Sequence, residues 1–106
     1  MIISQGESYP IFVTLTMDGQ QLTPDLVADV EVCFAGIRRT YSTGGFLFDE
    51  TRKQWWLWPT QEETLAAKPG PHSIAARVKF PGNPNEVLEI TLGRILIKRG
   101  RSKEIL

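Results

Sequence analysis

The chain has 106 residues, 42% hydrophobic and 23% charged, with twelve Lys and Arg balanced by twelve Asp and Glu. That length gives one domain, able to bury roughly 60–70% of its unfolded surface without metal or disulfide help. The composition excludes a disordered or membrane-spanning chain, and the zero net charge argues against wholesale binding to nucleic acid or anionic lipid.

Nine glycines and seven prolines break the chain into short elements, which favours an all-β fold. Met1-Ile2-Ile3-Ser4-Gln5-Gly6-Glu7 has no basic n-region and no apolar run of about 7–15 residues, so no signal peptide is expected. Residues 9–17 alternate Ile11, Val13, Leu15 and Met17 against Pro10, Phe12, Thr14 and Thr16, a strand that Asp18-Gly19 ends in a turn. After the break at Thr23-Pro24-Asp25, Ala28, Val30, Val32 and Phe34 alternate with Asp29, Glu31 and Cys33 in a second half-buried strand. Gly36 and Thr43-Gly44-Gly45 bracket a strand over residues 37–42, and Phe46-Leu47-Phe48-Asp49 supplies another. Gln54-Trp55-Trp56-Leu57-Trp58 is an aromatic strand that Pro59 terminates.

Thr60-Gln61-Glu62-Glu63 has capping-box spacing, and Pro69-Gly70-Pro71 bars a helix from continuing, so a short crossover helix is predicted near residues 61–67. Ile74, Ala76, Val78 and Phe80 alternate with polar residues in the next strand, and Pro81-Gly82-Asn83-Pro84-Asn85 is a turn. In the last strand Leu88, Ile90 and Leu92 share one parity while Ile95 and Ile97 have the other, and a β-bulge at Gly93 would return both sets to the core. Seven or eight such strands with one helix give a two-sheet antiparallel β-sandwich. It spans residues 1–98, and residues 99–106 form a basic C-terminal tail. Residues 77–106 hold seven basic and three acidic side chains, a balance of +4 that the first 76 residues offset with −4.

No residue pattern points to catalysis. Cys33 and His72 are each the sole residue of their type, and neither stands in a nucleophile or base signature. A lone cysteine also excludes an intrachain disulfide and the zinc sites built from several Cys and His, and suits a reducing compartment. Glu62 and Glu63 are adjacent, so they do not share a helix face, and Glu63 serves the cap. The glycines form neither a P-loop nor a dinucleotide fingerprint. No catalytic residue, metal or cofactor is therefore expected. Lys98, Arg99 and Arg101 have no interleaved aromatics, so contact with solvent or an acidic protein surface fits them better than nucleic acid. Alternation sends Trp55 with Leu57 to one face and Trp56 with Trp58 to the other. One pair belongs in the core, and the other is either covered by a loop or helix or forms an exposed aromatic patch.

Gln5-Gly6-Glu7-Ser8-Tyr9-Pro10-Ile11 with the strand and Asp18-Gly19 after it resembles the start of small immunoglobulin-like domains in tail and baseplate proteins of long-tailed bacteriophages, including the N-terminal domains of baseplate upper proteins. Trp58-Pro59-Thr60-Gln61-Glu62-Glu63-Thr64-Leu65 is similar to their strand and helical turn, and Lys68-Pro69-Gly70-Pro71-His72-Ser73-Ile74 to their Pro-Gly lead into the next strand. Ile90-Thr91-Leu92-Gly93-Arg94-Ile95-Leu96-Ile97 is similar to their last strand, so the resemblance spans nearly the whole chain. It departs at Pro59, where the family usually has Leu, and in its richer Trp run. The resemblance implies an Ig-like sandwich with Trp55, Leu57 and Pro59 inward and Trp56 and Trp58 outward. It further implies a non-enzymatic structural protein of a phage or prophage virion tail, made in the host cytoplasm. Its partners would be other tail or baseplate proteins, with self-association, and without nucleic acid or membrane insertion. Trp56, Trp58, Arg94, Lys98, Arg99 and Arg101 are the interface candidates. The alternative is a carbohydrate- or host-surface-binding module that uses exposed tryptophans.

Overall fold

The computed structural model describes residues 1–82 and 86–106. In chain order these form β1 (Ile2–Ser4), β2 (Ile11–Val13), β3 (Thr16–Met17), β4 (Gln20–Gln21), a 3-10 turn (Pro24–Leu26), β5 (Asp29–Phe34), β6 (Ile37–Thr40), β7 (Leu47–Asp49), β8 (Gln54–Leu57), α1 (Gln61–Ala66), β9 (Gly70–Lys79) and β10 (Val87–Lys98). Among the described residues no helix is long and apolar enough to cross a membrane. The turn expected over residues 81–85 falls in part on residues 83–85, outside the described residues.

The strands make a five-stranded sheet ordered β1-β10-β9-β5-β6, a three-stranded sheet ordered β2-β8-β7, and the separate hairpin β3-β4. The fold is all-β, as expected, with two corrections. Among the described residues ten strands replace the expected seven or eight, because the strand expected over residues 9–17 breaks at Thr14-Leu15 into β2 and β3, and β1 and β4, of three and two residues, are too short to show a period of two. Nor are the sheets wholly antiparallel, since β1 runs parallel to β10 with Ile2 opposite Leu96 and Ser4 opposite Lys98. The β3-β4 hairpin turns at Asp18-Gly19, both left-handed with φ of 52° and 78°, a two-residue turn for which Gly is well suited.

Alternation decides which side chains meet. Val30, Val32 and Phe34 of β5, Ile74, Ala76 and Val78 of β9, and Ile95 and Ile97 of β10 are buried on one side of the larger sheet. They join Ile11 of β2 and Trp55 and Leu57 of β8 in a single core, each large side chain contributing about 1.5–3 kcal/mol on burial. Ala28, which shares the parity of Val30, is exposed because it precedes the strand.

The bulge lies where the change of parity predicts it. Thr91 pairs with Ala75 and Gly93 with Ile74, which leaves Leu92 as the extra residue, and Gly93 takes a φ of 141° that L side chains rarely adopt. It buries Ile95 and Ile97, and the other set reaches the core only in part, with Ile90 and Leu92 packed against it and Leu88 outside. Leu88 is 39% exposed and Ile90 and Leu92 are half-buried. β10 has twelve residues, whereas the strands of the smaller sheet have three or four, too few to cover its first half.

Helix α1 crosses from the smaller sheet to the larger, within one residue of the expected span. Its capping box is complete, with the Glu63 amide donating to the Thr60 hydroxyl and the Thr60 amide donating to the Glu63 carboxylate. The same carboxylate takes two hydrogen bonds from the Arg39 guanidinium of β6, one of them at 2.8 Å from Nη1 to Oε2. That guanidinium, with help from Thr60, holds the Glu63 carboxyl below its ordinary value of 4.5. The depressed value means that the pairing stabilises the fold above the ordinary carboxylate range and is lost as pH falls through the folded value. Glu63→Gln is therefore expected to cost about 1–2 kcal/mol at pH 7. The gap to wild type should close on acidification, and urea melts of both proteins between pH 7 and pH 2 are the check.

Candidate interaction surface

The outward side of the β2-β8-β7 sheet is aromatic. Phe12 of β2 lies opposite Trp56 of β8, and Leu47 of β7 lies opposite the same Trp56, so the register sets three apolar side chains in a row across three strands. The Phe12 and Trp56 ring centroids are 6.2 Å apart, and Trp58, just past the strand end, meets Trp56 edge-on at 6.5 Å. Arg52 places its guanidinium 4.1 Å above the Phe12 ring, a cation–π contact at the rim. Trp58 is 53% exposed and Leu47 37%, while Phe12 and Trp56 are half-buried.

Trp58 is held in place despite its exposure. Its indole N–H donates to the Ser8 hydroxyl at 2.9 Å, and that hydroxyl donates to the Pro59 carbonyl at 2.8 Å. A ring already fixed in this way loses little rotamer freedom on binding, and large fixed aromatics beside an arginine are the usual anchors of protein contacts.

Inward, Trp55, Leu57 and Pro59 are buried, as the alternation and the resemblance require. Phe12, Leu47 and Arg52 join this surface without having been expected there. The parity of Phe12 already places it outward, but only the long-range strand register brings it to Trp56.

The basic candidates lie on β10 and in the tail. Arg94, Leu96 and Lys98 alternate with the buried Ile95 and Ile97, so they are on the outward parity of β10, and Arg94 borders a depression that Phe12 of the aromatic row also lines. Arg99 and Arg101 come next, exposed, around a shallow depression that Ser4, Gln5 and Gly100 complete. Among the described residues none of these four cations forms an ion pair. The tail is tied back to the body, with the Gly100 amide donating to Gln5 Oε1 at 3.2 Å and the Leu106 amide to Gln61 Oε1 at 2.8 Å. The candidates thus fall into an aromatic cluster on β8 and a basic stretch from β10 into the tail, with Arg94 beside Phe12.

Cys33 and His72 are kept apart. Cys33 pairs with Ala75 on the outward parity of β9, whereas His72 shares the parity of the buried Ile74 and bonds the Lys68 carbonyl at 2.6 Å. Burial, with a hydrogen bond to the Glu31 carboxylate, pushes the Cys33 thiol up, away from the reactive thiolate. Among the described residues no cluster of three His, Cys, Asp or Glu side chains is arranged to hold a metal ion. Comparison with protein-family models, curated proteins and solved structures finds no match to this chain.

Proposed function

We propose that this chain is a non-enzymatic structural component of a phage or prophage tail or baseplate, an Ig-like sandwich that works through protein–protein contacts. The observation that carries the reading is the row of Phe12, Trp56 and Leu47, with Trp58 standing 53% exposed beside it. The strand order supports the Ig-like part. With β2, β7 and β8 taken as strands B, D and E, and β5, β6, β9 and β10 as C, C′, F and G, the two sheets have the membership of an Ig-type sandwich.

Tails are built from heterologous contacts, in which one surface of a subunit meets a different surface of the next. An aromatic cluster and a distinct basic stretch on one domain suit that geometry. Exposed charges contribute only about 0–1 kcal/mol per pair, so the aromatic face supplies the affinity and the basic stretch the orientation. Wild type is expected to form assemblies that grow with concentration. Trp56→Ala with Trp58→Ala should weaken them more than deletion of residues 99–106, which should matter mainly at low salt. Sedimentation velocity across a salt series checks this. Assemblies that the tryptophan changes leave intact would overturn the reading, and a glycan-array signal lost in that variant would favour the carbohydrate-binding alternative.

A further inference from the structure

Three cations gather where β10 ends. Lys98 is the last residue of the strand, and with Arg99 and Arg101 it lines a depression of about 520 Å³ that Ser4, Gln5 and Gly100 complete. All three side chains are exposed, and among the described residues none is ion-paired. Glu7, whose carboxylate accepts from the Ser4 amide at 2.5 Å, is not paired with them either. Like charges held together without a counter-ion repel one another, and a concave surface of one sign draws in ligands of the other.

The backbone that carries the three is fixed. The Gln5 amide donates to the Lys98 carbonyl at 2.9 Å, and the Gly100 amide donates to Gln5 Oε1 at 3.2 Å. Gln5 is itself anchored, since its Nε2 donates to the Ala67 carbonyl at 2.8 Å just past α1. The two segments approach so closely that a β-carbon on Gly100 would lie 2.3 Å from the Gln5 carbonyl oxygen, which leaves room for glycine alone. In a continued strand Arg99 and Arg101 would face away from Lys98, whereas here all three line one depression. The Ser4 hydroxyl, beside Lys98 in the register, has no hydrogen-bond partner among the described residues.

The crowding of the charges selects the ligand. Neighbouring phosphates share a bridging oxygen, so a short chain of them brings several negative charges into one depression, with oxygens that suit a guanidinium fork. Same-facing carboxylates of an extended acidic peptide are two residues, about 7 Å, apart. In a nucleic acid a whole nucleotide separates successive phosphates. We propose that this depression binds a compact phosphate chain, such as tripolyphosphate or the triphosphate of a nucleotide. It shares no residue with the aromatic row, so the proposal does not rest on the tail assignment.

The test is isothermal titration calorimetry of the full chain with tripolyphosphate, ATP, inorganic phosphate and a hexaglutamate peptide, with thermal melts confirming that each variant is folded. Tripolyphosphate and ATP are expected to bind one per chain, and inorganic phosphate roughly tenfold more weakly. Arg99→Gln and Arg101→Gln should each weaken tripolyphosphate by roughly threefold to tenfold. Lys53→Gln removes the same charge from a cation that pairs with Glu50, and should change the affinity by less than about twofold. Tighter binding of ATP than of tripolyphosphate would assign the phosphate chain to a nucleotide, and equal binding to a free polyphosphate. No saturable binding of either, binding indifferent to both arginines, an equal loss with Lys53→Gln, or hexaglutamate bound as tightly as tripolyphosphate would each overturn the proposal.

Discussion

Truncating Trp55 to alanine is expected to cost about 3–5 kcal/mol, the range for deleting a large aromatic from a packed core. Trp55 is 0% exposed and lies between Phe46, stacked at 5.2 Å, and Tyr41 and Phe48, edge-on at 5.2 and 5.3 Å. Its indole N–H donates to the Leu22 carbonyl at 2.9 Å, so alanine leaves a cavity and also strips a buried acceptor of its donor. Since domains of this size are stable by only about 5–15 kcal/mol, the loss should lower the melting temperature by tens of degrees. Trp56→Ala and Trp58→Ala serve as controls of the same chemistry on the outer face, and each should cost about 1 kcal/mol or less. Urea unfolding of the three variants is the measurement, and equal costs would contradict the inward and outward assignment.

Thr64→Val should have the second-largest effect, about 2–3 kcal/mol, though it hardly changes side-chain volume. Thr64 is the buried polar residue of α1, and its hydroxyl accepts from the Gly6 amide at 3.0 Å and donates to the Glu7 carbonyl at 2.9 Å. Valine leaves both groups without a partner where the loop after β1 packs on the helix. Thr64→Ser keeps the hydroxyl and should recover most of the loss. Equal stability of wild type and Thr64→Val in thermal melts would show that the hydroxyl does not hold the loop.

The parts of the fold readable from the chain are those with local rules. Val30, Val32 and Phe34 in β5 and Ile74, Ala76 and Val78 in β9 keep their period of two over the length of a strand. The capping box at Thr60 and Glu63 is a four-residue pattern, and the bulge leaves its trace as a change of parity between Leu92 and Ile95. The features hidden from a linear reading depend on distant pairing. β1 is three residues long and exists because Ile2, Ile3 and Ser4 find Leu96, Ile97 and Lys98 at the far end of the chain. The strand expected over residues 9–17 breaks at Thr14 and Leu15, although Leu15 stays buried, and Leu88 is exposed despite sharing the parity of Ile90. The candidate surface divides in the same way. Alternation within β8 puts Trp56 and Trp58 on one side, but the register with β2 and β7 that adds Phe12 and Leu47 is tertiary.

The proposal that this chain is part of a phage tail and docks through its aromatic face can be checked by quantitative mass spectrometry of purified phage particles. The particles come from cells encoding either the wild-type chain or the Trp56→Ala, Trp58→Ala form at matched expression. The wild-type chain is expected at a fixed stoichiometry in the particles and should be lost from those made with the variant. A chain absent from the particles, or retained equally in both forms, would contradict it.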